Sequence, residues 1–84
     1  MKVGVDIDNK IYVIAHFSSL PLEGSKIKLS PMLFLMDANI SEEEATKYFD
    51  KHFLVEESYL IGKYISEFDH ASLDADGLIK VKLI

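Results

Sequence analysis

The sequence of 84 residues contains no cysteine, no tryptophan and no arginine. Without cysteine the chain can form neither a disulfide bond nor a zinc–thiolate site, and it offers no thiol nucleophile. Arginine is the side chain that best binds phosphates and guanines through two parallel hydrogen bonds. Because the formal net charge is also −5, the composition argues against an autonomous nucleic-acid-binding domain.

Long apolar runs are absent as well, since no stretch approaches the roughly 20 residues of a membrane-spanning helix. Asp6 and Asp8 lie where the apolar core of an N-terminal export signal would be expected. We therefore expect a soluble, cytoplasmic protein without a membrane partner. The length predicts one domain over residues 1–84, with a small core and marginal stability.

Signatures of catalysis are also missing. No serine lies in a G-x-S-x-G pattern, and the four glycines do not form a phosphate-binding loop. His16, His52 and His70 are widely spaced and form no H-x-H or H-x-x-x-H pair. We therefore assign no catalytic residue, metal ligand or cofactor. Enzymatic activity stays undecided, and a non-enzymatic protein is the favoured interpretation.

Alternating apolar side chains predict most of the strands. Residues 1–17 form a predicted β-hairpin, because Val3, Val5 and Ile7 alternate with polar or small residues before a turn. In that turn Asn9 is suited to a left-handed backbone conformation. The same alternation predicts strands over Ser25–Leu29 and Leu78–Ile84. The second of these would be the last strand in the sequence.

The most hydrophobic run consists of Met32, Leu33, Phe34, Leu35 and Met36. Five residues do not distinguish a strand that is buried on both faces from an apolar edge that contacts another subunit. Both interpretations stay open from the sequence. In either case the run would be the fourth strand of the predicted order.

Two helices are predicted in the second half of the chain. Ser41 and Glu44 form a capping box at the start of a helix over Glu42–Lys51. The apolar spacing of Glu56–Phe68 predicts a second helix. Gly62 would lie in its middle, where glycine costs about 1 kcal/mol relative to alanine, so we expect close helix packing there.

Together these elements predict an α+β domain of order ββββααβ, with two helices on one face of a mainly antiparallel sheet. Four lysines on the predicted strands could share a sheet face that contacts RNA, although a solvated face is the more common reason for such a pattern. These residues are Lys26, Lys28, Lys80 and Lys82. Nucleic acid is thus a possible partner that the composition disfavours.

Asp6 and Asp8 follow an apolar strand and lie on the same face of it. Such a D-x-D pair resembles the first motif of haloacid-dehalogenase-like phosphatases, and the surrounding GVDIDNKIYVIA resembles the first hairpin of ribonuclease-H-like domains. Those families need further acidic motifs on later strands of longer chains. A metal-dependent hydrolase therefore stays an alternative, while solvated turn aspartates are the ordinary interpretation.

Three segments carry a resemblance to a known family: SEEEA at 41–45, YLIGK at 59–63 and GLIKVKL at 77–83. In this order they resemble a small archaeal family of domains of unknown function, number 424. The resemblance implies an α+β fold and an archaeal source, and the family has no established activity. The chain departs from the family pattern at Tyr59, which replaces an asparagine, and at LFLMDAN, which replaces an FYGG-like segment. The family's Gly-Gly-Val-Pro-His tail is also missing from this sequence.

Our leading hypothesis is a non-enzymatic domain that acts through protein contacts, as a homodimer or as a subunit of a larger complex. It rests on the marginal length, on the apolar run Met32–Met36 and on the lack of a complete catalytic set. The alternatives are an RNA-contacting protein of translation and a small metal-dependent hydrolase.

Overall fold

A five-stranded mixed sheet forms the centre of this small α+β protein, with the strand order β2-β1-β5-β4-β3. The structure is a computed structural model that describes residues 1–62 and 75–84. Its strands are β1 (Lys2–Ile7), β2 (Ile11–His16), β3 (Lys26–Ile27), β4 (Phe53–Leu60) and β5 (Gly77–Leu83). Between β3 and β4 lie a π-helical segment (Leu33–Asp37) and the short helix α1 (Glu42–Ala45), which continues as a 3₁₀ turn (Thr46–Tyr48).

The predicted α+β class is confirmed, but the predicted order ββββααβ is wrong. In the described residues three strands precede the helical segments and two follow them. The sheet is mixed because β1 runs parallel to β5, whereas the pairs β1–β2, β3–β4 and β4–β5 are antiparallel. The pairing of β1 with β5 joins the two ends of the chain.

The N-terminal hairpin forms as predicted. Its turn needs a left-handed backbone at two successive residues, and Asp8 and Asn9 have φ angles of 53° and 58°. The Lys10 backbone N–H closes the turn by donating to the Ile7 carbonyl at 2.9 Å. Aspartate and asparagine tolerate this conformation better than most residues, so the sequence specifies the turn locally.

One face of the sheet, here called the inner face, carries the core. Phe34, Tyr48 and Phe53 stack on one another there, with ring centroids 5.0–6.2 Å apart. Such stacking adds to the gain from burying aromatic area. The strand residues that complete this core are apolar and alternate along each strand: Val3, Val5, Ile7, Ile11, Val13, Ala15, Val55, Ile79 and Val81.

The apolar run Met32–Met36 is helical, so its interpretation as a strand is wrong. Ser30 and Pro31 start the helical turn: the Ser30 hydroxyl accepts a hydrogen bond from the Met32 N–H at 3.3 Å. Proline suits the first helical position because its φ angle is preset and it needs no donor there. Phe34 then enters the core fully, with 0% of its surface exposed.

The capped helix begins where the sequence predicts it. The Ser41 hydroxyl accepts from the Glu44 N–H at 3.2 Å, and Ala45 and Tyr48 are buried as expected. The helix ends before the predicted Lys51, because Phe49 is already extended. Asp50 then turns the chain with a φ angle of 56°.

The predicted helix Glu56–Phe68 is wrong as far as Leu60, because these residues belong to β4. Residues 63–68 of that prediction lie outside the described residues. A bulge between Val55 and Glu57 shifts the register against β5, which breaks the period-two alternation of a regular strand. Gly62 is exposed and follows β4; a methyl group there would meet none of the described residues within 4 Å.

Candidate functional site

Three apolar side chains of the helical turn after β3 face solvent. Met32, Leu35 and Met36 are 56%, 42% and 71% exposed, while the intervening Phe34 is 0% exposed. We call these three exposed residues the methionine patch. The buried side chain of Phe34 anchors the segment to the core. Its exposed neighbours are therefore held at the surface. Exposed apolar groups that are held in this way are typical of contact surfaces.

The methionine patch lies next to strand β2, which is at an edge of the sheet. A cavity of about 470 Å³ lies between Tyr12 and Met36 and is also lined by Ile14 and Asp37. A second cavity, of about 340 Å³, extends from Ile14 and Asp37 to the end of β2. The two cavities share Ile14 and Asp37, so together they follow the length of β2.

A polar cleft lies near the other end of the hairpin and is lined mainly by acidic residues. Asp6 is directly opposite Lys80 in the β1–β5 pairing, and Glu57 is opposite Lys80 in the β4–β5 pairing. The Lys80 ammonium lies 3.4 Å from a Glu57 carboxylate oxygen. Asp8 and Glu56 line the same cleft, whose volume is about 340 Å³. Lys80 therefore shares the cleft with four carboxylates and forms an ion pair with one of them, Glu57.

Two tyrosines near these carboxylates have raised pKa values. Burial raises the pKa of Tyr48 above its ordinary 10.0, and the negative charges of Glu44 and Asp8 add to the effect. A hydrogen bond with Glu57 is the main cause that raises the pKa of Tyr59. Because a raised pKa disfavours the phenolate in the folded state, ionisation of these tyrosines favours unfolding, so the stability of the fold falls as the pH rises above 10.

The four lysines of the possible RNA surface do not all line the same cavity. Lys26 lies opposite Leu54, which in turn lies opposite Lys82. These two lysines therefore share with Lys80 the outer face of the sheet, which is the face opposite the core. Lys28 lies beyond β3 and lines the cavity at the end of β2. Lys80 lines a cleft with four carboxylates, so this lysine-bearing face also carries negative charge.

The candidate metal ligands are also placed in different parts of the structure. Asp6 and Asp8 line the polar cleft, whereas His16 lies at the end of β2 and His52 lies beside Lys26. His70 lies outside the described residues. Within residues 1–62 and 75–84, no group of three or more histidine, aspartate or glutamate side chains is arranged to hold a metal ion.

The Lys80 cluster gives a testable charge effect. We expect Lys80→Met to lower the free energy of unfolding by about 0.5–1 kcal/mol at low salt, because it removes the cation between Asp6 on β1 and Glu57 on β4. Lys82→Met is the matched control on the same strand, since Lys82 does not line the cleft. Urea unfolding at low and at high salt checks this: the difference between the two variants should shrink at high salt. An equal effect of the two variants at low salt would contradict the expected role of Lys80.

The sequence identifies the apolar run Met32–Met36, but it does not reveal that the run is helical or that it lies next to strand β2. The signal was present, since Ser30-Pro31 before an apolar run is a helix start. Sequence reasoning also missed the acidic cleft, because the apolar spacing around Glu56 and Glu57 predicts a helix, whereas these residues belong to the strand that pairs with β5. No local signal marks that pairing.

The fold and its surface define a small α+β domain with a methionine patch beside an edge strand. No protein-family model matches the chain, and no curated protein or solved structure is significantly similar to it. None of the helices in the described part of the chain has the length and apolar character to span a membrane.

Proposed function

We propose that this chain is a non-enzymatic domain that acts through protein contacts, as a homodimer or as a subunit of a larger complex. The observation that carries the proposal is the methionine patch. Three apolar side chains face solvent there although the same segment buries Phe34 completely. Burying these side chains against another protein would remove apolar area from water, at a gain of roughly 25 cal/mol per Å².

The composition of the patch supports this function. Methionine side chains are flexible and polarizable, and they are enriched with aromatic residues at protein interfaces. Tyr12 and Ile14 of β2 lie across the adjoining cavity from Met36, so the apolar surface extends beyond the helical segment. A cytoplasmic location, an archaeal source and membership of the family of unknown function number 424 belong to the proposal as sequence-based predictions.

The two alternative functions have less support. An RNA contact through the lysine face would place phosphates close to the carboxylates that line the cleft with Lys80, and like charges repel. A hydrolase built on Asp6 and Asp8 would need a third ligand, and the described residues provide no metal-binding group of three. We therefore favour the protein-contact function over both.

Size-exclusion chromatography with light scattering tests the proposal over a range of protein concentrations. We expect the mass of the wild-type chain to approach twice the 9.5 kDa of one chain as the concentration rises. Met36→Asp should shift the mass toward that of the monomer, since a charge would have to be buried at the contact.

Leu22→Asp provides the matched control. Leu22 is 74% exposed and also apolar, but it lies in the loop before β3 and lines neither cavity along β2. We expect this variant to associate like the wild type. If Met36→Asp and Leu22→Asp associate equally strongly, the methionine patch is not the contact surface.

A further inference from the structure

We propose that two copies of this chain pair through the edge of β2 that no described strand covers, so that the two sheets join across an antiparallel β2–β2 contact. This inference rests on the proposed function and names both the partner and the geometry. The methionine patch would flank the contact, and the paired backbones of β2 would lie at its centre. Addition of a strand at a sheet edge is a common form of protein recognition.

Hydrogen bonding within the hairpin shows which backbone groups face this edge. Met1 and Phe17 exchange two hydrogen bonds, of 2.7 and 2.9 Å, so they form a hydrogen-bonded pair. In an antiparallel ladder such pairs alternate with pairs whose backbone groups point away. The N–H and C=O groups of Tyr12, Ile14 and His16 therefore point outward from β2, into the space of the two adjoining cavities.

The two edges of the sheet differ in a way that singles out β2. β3 forms only two residues of strand, Lys26 and Ile27, and is followed by Lys28 and then by Pro31. Short edges, lysine and proline are the features that prevent unwanted strand pairing. β2 has six residues, IYVIAH, without lysine, proline or a bulge. An edge with no such protection is expected to be covered when the protein functions.

A second copy is the occupant that fits this edge. The partner strand must be uncharged and must alternate apolar residues toward the inner face, and β2 itself has this composition. Pairing β2 with β2 is also self-complementary, so it closes into a dimer with two-fold symmetry. Pairing β2 with the lysine-containing β3 of another copy would instead be open-ended and would continue from chain to chain.

The outward groups also define a register. Centring the two-fold axis on Ile14 makes Ile14 face itself, and it places Tyr12 of one copy opposite His16 of the other. Tyr12, Ile14 and His16, whose backbone groups point away from β1, would then all lie in hydrogen-bonded pairs. The Tyr12–His16 pair is aromatic, and aromatic cross-strand pairs stabilise antiparallel strands. A stable interface buries roughly 800 Å² per partner, which is more than one strand pair supplies. The exposed side chains of Tyr12 on β2 and of Met36 beside β2 would contribute to the remaining area.

The absence of cysteine makes cross-linking a clean test, because an introduced thiol is the only one in the chain. We expect Ile14→Cys to form a covalent dimer with a short bifunctional maleimide. His16→Cys should not, since two equivalent His16 positions would be about 13 Å apart at 3.3 Å per residue. Leu22→Cys, on the exposed loop, controls for random collisions.

Ile14→Pro provides an independent measurement by light scattering. The Ile14 N–H points away from β1, so proline at this position removes no hydrogen bond within the sheet. Edge strands tolerate proline at such positions. We expect this variant to keep the circular dichroism of the wild type and to lose its dimeric mass. Loss of the folded spectrum would leave the cysteine variants as the deciding measurement.

The outcomes separate the two proposals. A wild-type chain that dimerises, combined with failure of Ile14→Cys to cross-link, overturns the β2 pairing and leaves a contact through the methionine patch standing. Cross-linking of His16→Cys at the rate of Ile14→Cys overturns the register and with it the proposed geometry. A wild-type chain that stays monomeric at all concentrations overturns self-association in both proposals.

Discussion

Phe34→Ala is expected to remove about 3–5 kcal/mol from the free energy of unfolding, the largest loss among the substitutions considered for this protein. Phe34 has no exposed surface and stacks on Tyr48 at 5.0 Å and on Phe53 at 6.1 Å. Its removal would leave a cavity between the helical segments and the sheet. For a chain of 84 residues, total stability is about 4–13 kcal/mol, so the variant would lose a large share of its stability and would be largely unfolded at the lower end of this range.

The neighbouring Leu35→Ala is the matched control for Phe34→Ala. Leu35 belongs to the same helical segment but is 42% exposed, so we expect a loss below about 1 kcal/mol. Urea unfolding of both variants, followed by circular dichroism, measures the two losses. If the two variants were equally stable, Phe34 would not hold the helical segment on the core.

Gly77→Ala is expected to have the second-largest effect, a loss of about 1–3 kcal/mol. A methyl group on Gly77 would lie 2.9 Å from the Tyr59 carbonyl oxygen and 2.7 Å from a methyl carbon of Leu20. Leu20 can adopt another rotamer, but the Tyr59 carbonyl belongs to β4, which is paired with β5 at this point. The sheet itself would have to move.

Gly62→Ala tests whether any glycine substitution is costly in this chain. No described residue lies within 4 Å of a methyl group at Gly62, so we expect a change below about 0.5 kcal/mol. Thermal unfolding of the two variants gives the comparison. A large loss in Gly62→Ala together with a small one in Gly77→Ala would restore the predicted packing role of Gly62 and would contradict the close approach at Gly77.

The candidate contact surface could be predicted in part. The sequence marks Met32–Met36 as unusually apolar and leaves open whether the run is core or contact surface. The structure resolves this residue by residue, because a helical turn directs Phe34 inward and Met32 and Met36 outward. Period-two alternation would have divided the same residues differently. The position of the run next to the edge strand β2 depends on contacts between segments that are distant in sequence.

The sequence by itself determines the elements whose signals are local. The turn at Asp8-Asn9, the Ser41 cap and the alternation of β5 all arise from residues within a few positions of one another. The tertiary structure alone decides the state of Glu56–Leu60, whose apolar spacing suits a helix. Pairing with β5 makes this segment a strand, and the bulge at Glu56 hides its alternation. The parallel pairing of β1 with β5 is likewise tertiary, because the backbone hydrogen bonds that stabilise it join opposite ends of the chain.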